Sequence, residues 1–191
     1  GDYDNDGNLD IYLSAYGPNQ LYHNNGDGTF TEVGEALGVT EPDHVVSAEW
    51  GDYDNDGDLD LFVVGYEGPF GEQVPHNMFY RNDGDTGFVN ILVPGDMLNA
   101  GDHGVVWVDY DRDGDLDLLV VRFLIEDNPD EFALRQFRNS VRPLALYRNN
   151  GDGTFTDISD SSGAIADGDQ EWQAVFHDFN GDGWTDLYVA V

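Results

Sequence analysis

The chain has 191 residues, 39 acidic side chains against 7 basic ones, and a formal charge of −32. All seven basic residues are arginine, and Asp outnumbers Glu by 30 to 9. That balance excludes a nucleic-acid or anionic-membrane surface, each of which needs clustered positive charge, while 40% hydrophobic and 13% aromatic residues exclude a disordered acidic tail.

The chain opens at Gly1-Asp2, already inside a nine-residue pattern, Asp2-Tyr3-Asp4-Asn5-Asp6-Gly7-Asn8-Leu9-Asp10. It is therefore expected to be a piece of a longer chain, and a missing leader says little. The apolar run Ile11-Tyr12-Leu13 follows, then a second motif, Leu21-Tyr22-His23-Asn24-Asn25-Gly26-Asp27-Gly28-Thr29-Phe30-Thr31. Alternating Val46, Ala48 and Trp50 lead into the next acidic copy, Asp52-Tyr53-Asp54-Asn55-Asp56-Gly57-Asp58-Leu59-Asp60, and into Leu61-Phe62-Val63-Val64. A looser second motif spans Met78 to Phe88. Val105 and Trp107 precede Asp109-Tyr110-Asp111-Arg112-Asp113-Gly114-Asp115-Leu116-Asp117 and Leu118-Leu119-Val120-Val121. The second motif returns from Leu146 to Thr156. Trp172, Ala174 and Phe176 then lead to Asp178-Phe179-Asn180-Gly181-Asp182-Gly183-Trp184-Thr185-Asp186 and Leu187-Tyr188-Val189.

The four acidic copies start 50, 57 and 69 residues apart, a fixed unit with growing insertions. Alternation before each loop predicts a half-buried strand, and the unbroken apolar run after it predicts a strand buried on both faces. The second motif is read as a tight Asn-Gly hairpin rather than another cation loop, because Asn and Gly supply the positive φ of such turns. Each unit is then four strands in about 50 residues, the make-up of a propeller blade. The expected fold is all-β, a partial β-propeller of about three four-stranded blades forming one arc over 1–191. Its expected parts are an incomplete blade at 1–44, a blade at 45–101, a blade at 102–169 with an insert at 124–143, and an incomplete blade at 170–191. That predicts thirteen strands, with raw edges or apolar faces at the two ends.

Four carboxylates within nine residues repel one another unless a cation sits among them. Acceptors at positions 1, 3, 5 and 9 can fold onto one centre, and glycine at position 6 permits the sharp reversal. Position 7 varies (Asn8, Asp58, Asp115, Trp184), as expected if only its backbone carbonyl ligates. An all-oxygen, flexible cage suits Ca²⁺ better than octahedral Mg²⁺. An EF-hand would end in Glu at position 12 and run into a helix. Here position 12 is Leu13, Val63, Val120 and Val189, each in a β-rich run. Solvated Asp-Gly turns would explain one copy, but four in register favour cation loops.

The acidic loop followed by apolar residues resembles the calcium loop of FG-GAP/VCBS repeats, found in integrin alpha-chain propellers. The added hairpin resembles the version in bacterial secreted proteins and the cartilage acidic protein family. The resemblance implies a loop joining the first two strands of a blade and binding one Ca²⁺, about four ions in all. The ligands it implies are Asp2, Asp4, Asp6, Asn8 (backbone) and Asp10, and Asp52, Asp54, Asp56, Asp58 (backbone) and Asp60. The third set is Asp109, Asp111, Asp113, Asp115 (backbone) and Asp117, and the fourth Asp178, Asn180, Asp182, Trp184 (backbone) and Asp186. Asn180 leaves the fourth set only three carboxylates, so its site is expected to be the weakest. The family's role, mostly adhesion or recognition, implies a protein or glycan ligand and an extracellular or cell-surface place, which suits the millimolar calcium outside cells.

The insert from Leu124 to Pro143 holds Arg135, Arg138, Arg142, Phe132 and Phe137, with a short helix expected from Glu131 to Arg138. It is read first as a loop held by Arg–Asp pairs and second as a recognition loop. The segment from Tyr66 to Asn77 is a weaker candidate of the same kind. The five histidines (His23, His44, His76, His103, His177) show no paired spacing and are read as strand-end or turn residues. Trp50, Trp107 and Trp172 are expected in the core and Trp184 on the surface. Cysteine is absent, so there is no disulfide or thiolate chemistry, and no apolar run approaches the ~20 residues of a membrane-spanning helix. No nucleophile elbow, P-loop or Rossmann fingerprint appears, so no enzyme is expected. The alternative class is a carbohydrate-binding module or the propeller of a polysaccharide-active enzyme.

Overall fold

The computed structural model describes residues 1–41, 45–65, 77–91, 102–122, 144–164 and 173–190. The insert at 124–143 with its expected helix, almost all of the 66–77 segment, His44, His76 and Trp172 lie outside the described residues. Within them are thirteen strands in four antiparallel sheets, each a simple meander. The first sheet is β1 (Ile11–Leu13), β2 (Gln20–Asn24) and β3 (Phe30–Glu32). The second is β4 (Val45–Gly51), β5 (Asp60–Gly65), β6 (Met78–Asn82) and β7 (Phe88–Ile91). The third is β8 (Asp102–Val108), β9 (Asp117–Arg122), β10 (Leu144–Asn149) and β11 (Phe155–Asp157). The fourth pairs β12 (Gln173–His177) with β13 (Asp186–Ala190). The class is all-β, a partial propeller. Two four-residue helical turns, Gly34–Leu37 and Ser159–Ser162, follow β3 and β11 and were not legible in the repeat.

Consecutive sheets pack face to face, and the two-residue strand period divides each central strand between two interfaces. In β5, Leu61 and Val63 join Leu21, Val39, Val45 and Tyr80 against the first sheet. Phe62 and Val64 turn the other way, to Phe79, Val105, Leu118, Val120 and Tyr147. In β9, Leu118 and Val120 share that second interface, whereas Leu119 and Val121 meet Leu144, Leu146 and Ala174 toward the fourth sheet. This is why β5 and β9 are continuous apolar runs and are buried throughout. Gly51 makes close stacking possible, since a Cβ there would lie 2.7 Å from the Trp107 ring of the next sheet. Away from the acidic loops, a buried pair holds the start of β8 to the end of β9. Arg122 Nε donates to Asp102 Oδ1 at 2.8 Å, and its Nη2 donates to the Tyr147 hydroxyl at 3.1 Å.

Two sequence expectations need correction. Runs after the first and fourth loops are not buried on both faces: Ile11, Leu13 and Tyr188 are exposed, while Tyr12, Leu187 and Val189 pack inward. Their sheets have a neighbour on one side only. Val46 does not share the inward face of Ala48 and Trp50; Val45 is buried and Val46 is exposed. A bulge between Val45 and Ser47 shifts the register, and one extra residue reverses which side chains point inward. Trp50 and Trp107 pack against the cores as expected.

Phe79 is fully buried between the second and third sheets, against Tyr53, Phe62 and Trp107. Phe79→Ala should therefore lower unfolding stability by about 3–5 kcal/mol, measured by urea denaturation. The same truncation at exposed Tyr188 should stay within about 0.5 kcal/mol.

Candidate metal centre

Each acidic loop leads directly into a strand: β1, β5, β9 or β13. The loops close by the same short bonds. The position-1 carboxylate accepts the position-6 N–H, Gly7 to Asp2 at 3.0 Å, Gly57 to Asp52 at 3.1 Å, Gly114 to Asp109 at 3.3 Å and Gly183 to Asp178 at 2.8 Å. The position-5 carboxylate accepts the position-7 N–H, at 2.8 Å for Asp6, 2.9 Å for Asp56, 3.0 Å for Asp113 and 2.8 Å for Asp182. Position-6 glycines sit at φ between 87° and 97°, a region that side chains rarely adopt.

In the first three loops the position-9 carboxylate is the buried member. Asp60 Oδ2 accepts the Tyr53 N–H at 3.0 Å and Oδ1 the Asn82 N–H at 2.8 Å. Asp117 repeats this with Tyr110 and Asn149, and Asp10 with Tyr3 and Asn24. Asn24, Asn82 and Asn149 also donate their side-chain amides to the position-8 carbonyls of Leu9, Leu59 and Leu116, at 3.0 to 3.2 Å. These asparagines were read only as hairpin formers. Their recurrence at one register in all three hairpins was the available signal for a role in the loop.

Carboxylate oxygens converge in the first three loops. Single oxygens of Asp2, Asp4 and Asp6 lie within 4.8 Å of one another, as do those of Asp52, Asp54 and Asp60, and of Asp109, Asp111 and Asp117. Asp56 and Asp113 are outside those groupings, and among the described residues the acidic groups of the fourth loop form none. In that loop Asp178 takes N–H bonds from Gly183 and Gly181, while Asn180 accepts from Asp182 at 2.7 Å. Burial is the largest single influence on the Asp178 carboxyl and raises it, but the N–H groups of Gly183, Gly181 and Asp182 together outweigh it and hold the carboxyl below the usual range. His23 was not read as a ligand, yet its Nδ1 lies 3.1 Å from Asp4 Oδ2 and 3.5 Å from Asp10 Oδ1. Arg81 and Arg148 occupy its register in the other two hairpins. Of the remaining histidines, His177 ends β12 against the Phe179 ring.

The donor set fits a hard divalent cation. Every clustered acidic donor is oxygen, and Asp109 Oδ1 is a buried acceptor with no hydrogen-bond partner. The equivalent oxygens of Asp2 and Asp52 accept the position-5 N–H at 3.1 Å. Proton affinities report the same crowding. Burial pushes the Asp60 carboxyl up to about 7, against the two N–H bonds that lower it. Burial likewise pushes Asp117 up to about 6. Asp54 and Asp4 are raised by burial first and by neighbouring carboxylates second. A cation would replace the proton that these groups otherwise favour.

A family model for FG-GAP-like repeats matches residues 2–63 and 128–189. Cartilage acidic protein 1 of Homo sapiens is 27% identical over 177 residues, covering 91% of this chain and 24% of that protein. The chain thus spans about a quarter of that relative's length. A lectin of Agrocybe aegerita, described for specific recognition of non-reducing terminal N-acetylglucosamine, is similar in fold, with a TM-score of 0.55. That likeness covers 98% of this chain and 45% of the lectin at 19% identity.

The raised carboxyls set the sign of the pH dependence. The folded chain keeps protons on Asp60 and Asp117 that an unfolded Asp, with a pKa of about 3.9, has already released. Without cation, stability should therefore fall as pH rises from about 4 to about 7. Self-repulsion at high negative charge adds in the same direction. Melting in chelator is expected at higher temperature at pH 5 than at pH 7.5; the reverse order would contradict the assignment.

Proposed function

Because the chain belongs to the FG-GAP-like repeat family, we propose that it is a non-catalytic, calcium-stabilised propeller module for recognition or adhesion outside cells. The carrying observation is the convergence of three carboxylate oxygens within 4.8 Å in each of three successive loops. Hard oxygen donors on a loop without a helix match Ca²⁺ chemistry. The first ligand set would be Asp2, Asp4, Asp6 and Asp10 with the Asn8 carbonyl; the second and third would use the matching residues of their loops. The fourth, with Asn180 in place of a carboxylate, would be weakest.

The ion's role would be structural. Four bound Ca²⁺ bring eight positive charges and take the formal charge from −32 to −24. They would relieve the neighbouring-carboxylate repulsion that, after burial, raises Asp54 and Asp4. Exposed acidic sites of this type suit extracellular calcium concentrations, and no described helix is long and apolar enough to cross a membrane. The partner would be a protein or glycan, with further blades of the parent chain as neighbours and no nucleic acid.

Carbohydrate binding is the second reading, kept in view by the lectin of like fold, which recognises terminal N-acetylglucosamine. It would place calcium beside a sugar. A glycan-array signal abolished by chelator but retained in Arg135→Ala and Arg138→Ala would favour it over protein recognition.

Calcium should raise the melting temperature substantially, and chelator should reverse the gain. Asp54→Asn and Asp111→Asn should each reduce the gain, whereas Asp182→Asn should change it least. Identical melting curves with and without chelator would rule out the structural role.

A further inference from the structure

Position 4 of the acidic loop is where the described chain places non-glycine residues at positive φ: Asn5 at 57°, Asn55 at 59° and Arg112 at 65°. That conformation costs energy for a residue with a side chain. Its recurrence at one register in three loops implies a shared use, and the contacts show it. Asn5 Nδ2 donates to Asp58 Oδ1 at 2.7 Å and to the Gly57 carbonyl at 3.2 Å. Asn55 Nδ2 donates to Asp115 Oδ1 at 2.8 Å. Arg112 holds its guanidinium carbon 4.9 Å from the centroid of the Trp184 ring, a cation–π contact. In every case position 4 of one loop grips position 7 of the next.

Position 7 is well placed to receive such a contact. Its N–H closes its own loop onto the position-5 carboxylate, and its carbonyl belongs to the proposed ligand set. Its side chain lies between two blades' elements. Room for it comes from the hairpin glycines: a Cβ on Gly84 would fall 3.0 Å from Asp58 Oδ2, and one on Gly151 2.8 Å from Asp115 Oδ2. A second strut runs between the same neighbours. Asn82 Nδ2 donates to the Tyr3 carbonyl, and Asn149 Nδ2 to the Tyr53 carbonyl, each at 2.7 Å. The variation at position 7 thereby has a cause: Asp answers Asn, and Trp answers Arg. The fourth loop carries Gly181 at position 4 and so offers no such side chain.

We propose that position 4 couples successive loops, so that calcium in one loop favours calcium in the next; the inference rests on the calcium reading above. Filling a loop orders its position-4 residue in the left-handed conformation, and that residue pins the ligating segment of its neighbour. The contact is reciprocal, so the neighbour's occupancy favours the first loop equally. Occupancy then spreads along the arc as a cooperative unit, with Asn5–Asp58, Asn55–Asp115 and Arg112–Trp184 as the three links.

The test is a calcium titration of the whole chain by calorimetry, with melting in chelator and in calcium as the second measurement. Asn55→Gly keeps the positive φ and removes the amide. Asp115→Ala removes the acceptor but keeps the carbonyl, and Asp115→Asn keeps an acceptor while removing the charge. Asn55→Gly and Asp115→Ala should each make the binding curve less steep than that of the unaltered chain and weaken its midpoint by roughly five-fold, the low end of measured couplings. The double variant should be no worse than either single one, and Asp115→Asn should retain the steepness. Unchanged steepness in both variants, with equal losses of melting temperature in calcium and in chelator, would overturn the coupling and leave a simple surface contact. A flat titration of the unaltered chain would instead overturn the calcium reading, and the coupling with it, before any variant is compared.

Discussion

A carboxylate buried where two chain segments meet is the constraint on which this fold depends. Asp60 and Asp117 are fully buried, and each accepts one N–H from its own loop and one from the hairpin strand across the blade. A buried charge is costly unless satisfied, and here the two N–H groups do part of that work. The hairpin asparagine supplies one of them and spends its side chain on the loop's Leu carbonyl. The acidic loop and the Asn-Gly hairpin are therefore one device.

From that corner the sheets follow. Loop closure sets the start of the inner strand pair, and the alternation along β5 and β9 sends half of each strand to either neighbour. Three interfaces stack four sheets, with Tyr53, Phe79, Trp107 and Phe155 forming a connected set of rings at the middle one. At the outer sheets the same pattern leaves Ile11, Leu13 and Tyr188 uncovered. Repeat architectures behave in this way because each unit buries its faces only against neighbours.

The preference for Asp over Glu has a local cause in the loops, whose 17 acidic residues are all Asp. Asp is short enough for its carboxylate to cap an N–H two to five residues on, as Asp2, Asp6, Asp52 and Asp56 do. Few cations within the protein oppose this charge. Arg81 is taken by Asp83 at 2.6 Å and Arg122 by Asp102. His23, beside Asp4 and Asp10, can contribute only when protonated. The divalent cation proposed above would complement such a layout.

The repeat period, the thirteen strands, the hairpins and the inward Trp50 and Trp107 were legible in the sequence, because each rests on local spacing: a two-residue alternation, an Asn-Gly turn, a nine-residue acidic pattern. Clustering at positions 1, 3 and 9 in the second and third loops follows from the same short-range geometry. Other features were decided only in three dimensions. The bulge at Val45–Ser47 reverses the facing of Val46, and no local preference marks where a strand takes an extra residue. The one-sided burial of β1 and β13 depends on how many neighbours a sheet has. Position 7 varies along the sequence because the side chains of Asp58, Asp115 and Trp184 meet partners about fifty to seventy residues earlier, in the adjacent loop. Sequence spacing specifies what a segment does to itself, whereas contacts between blades arise only once stacking has brought distant loops side by side.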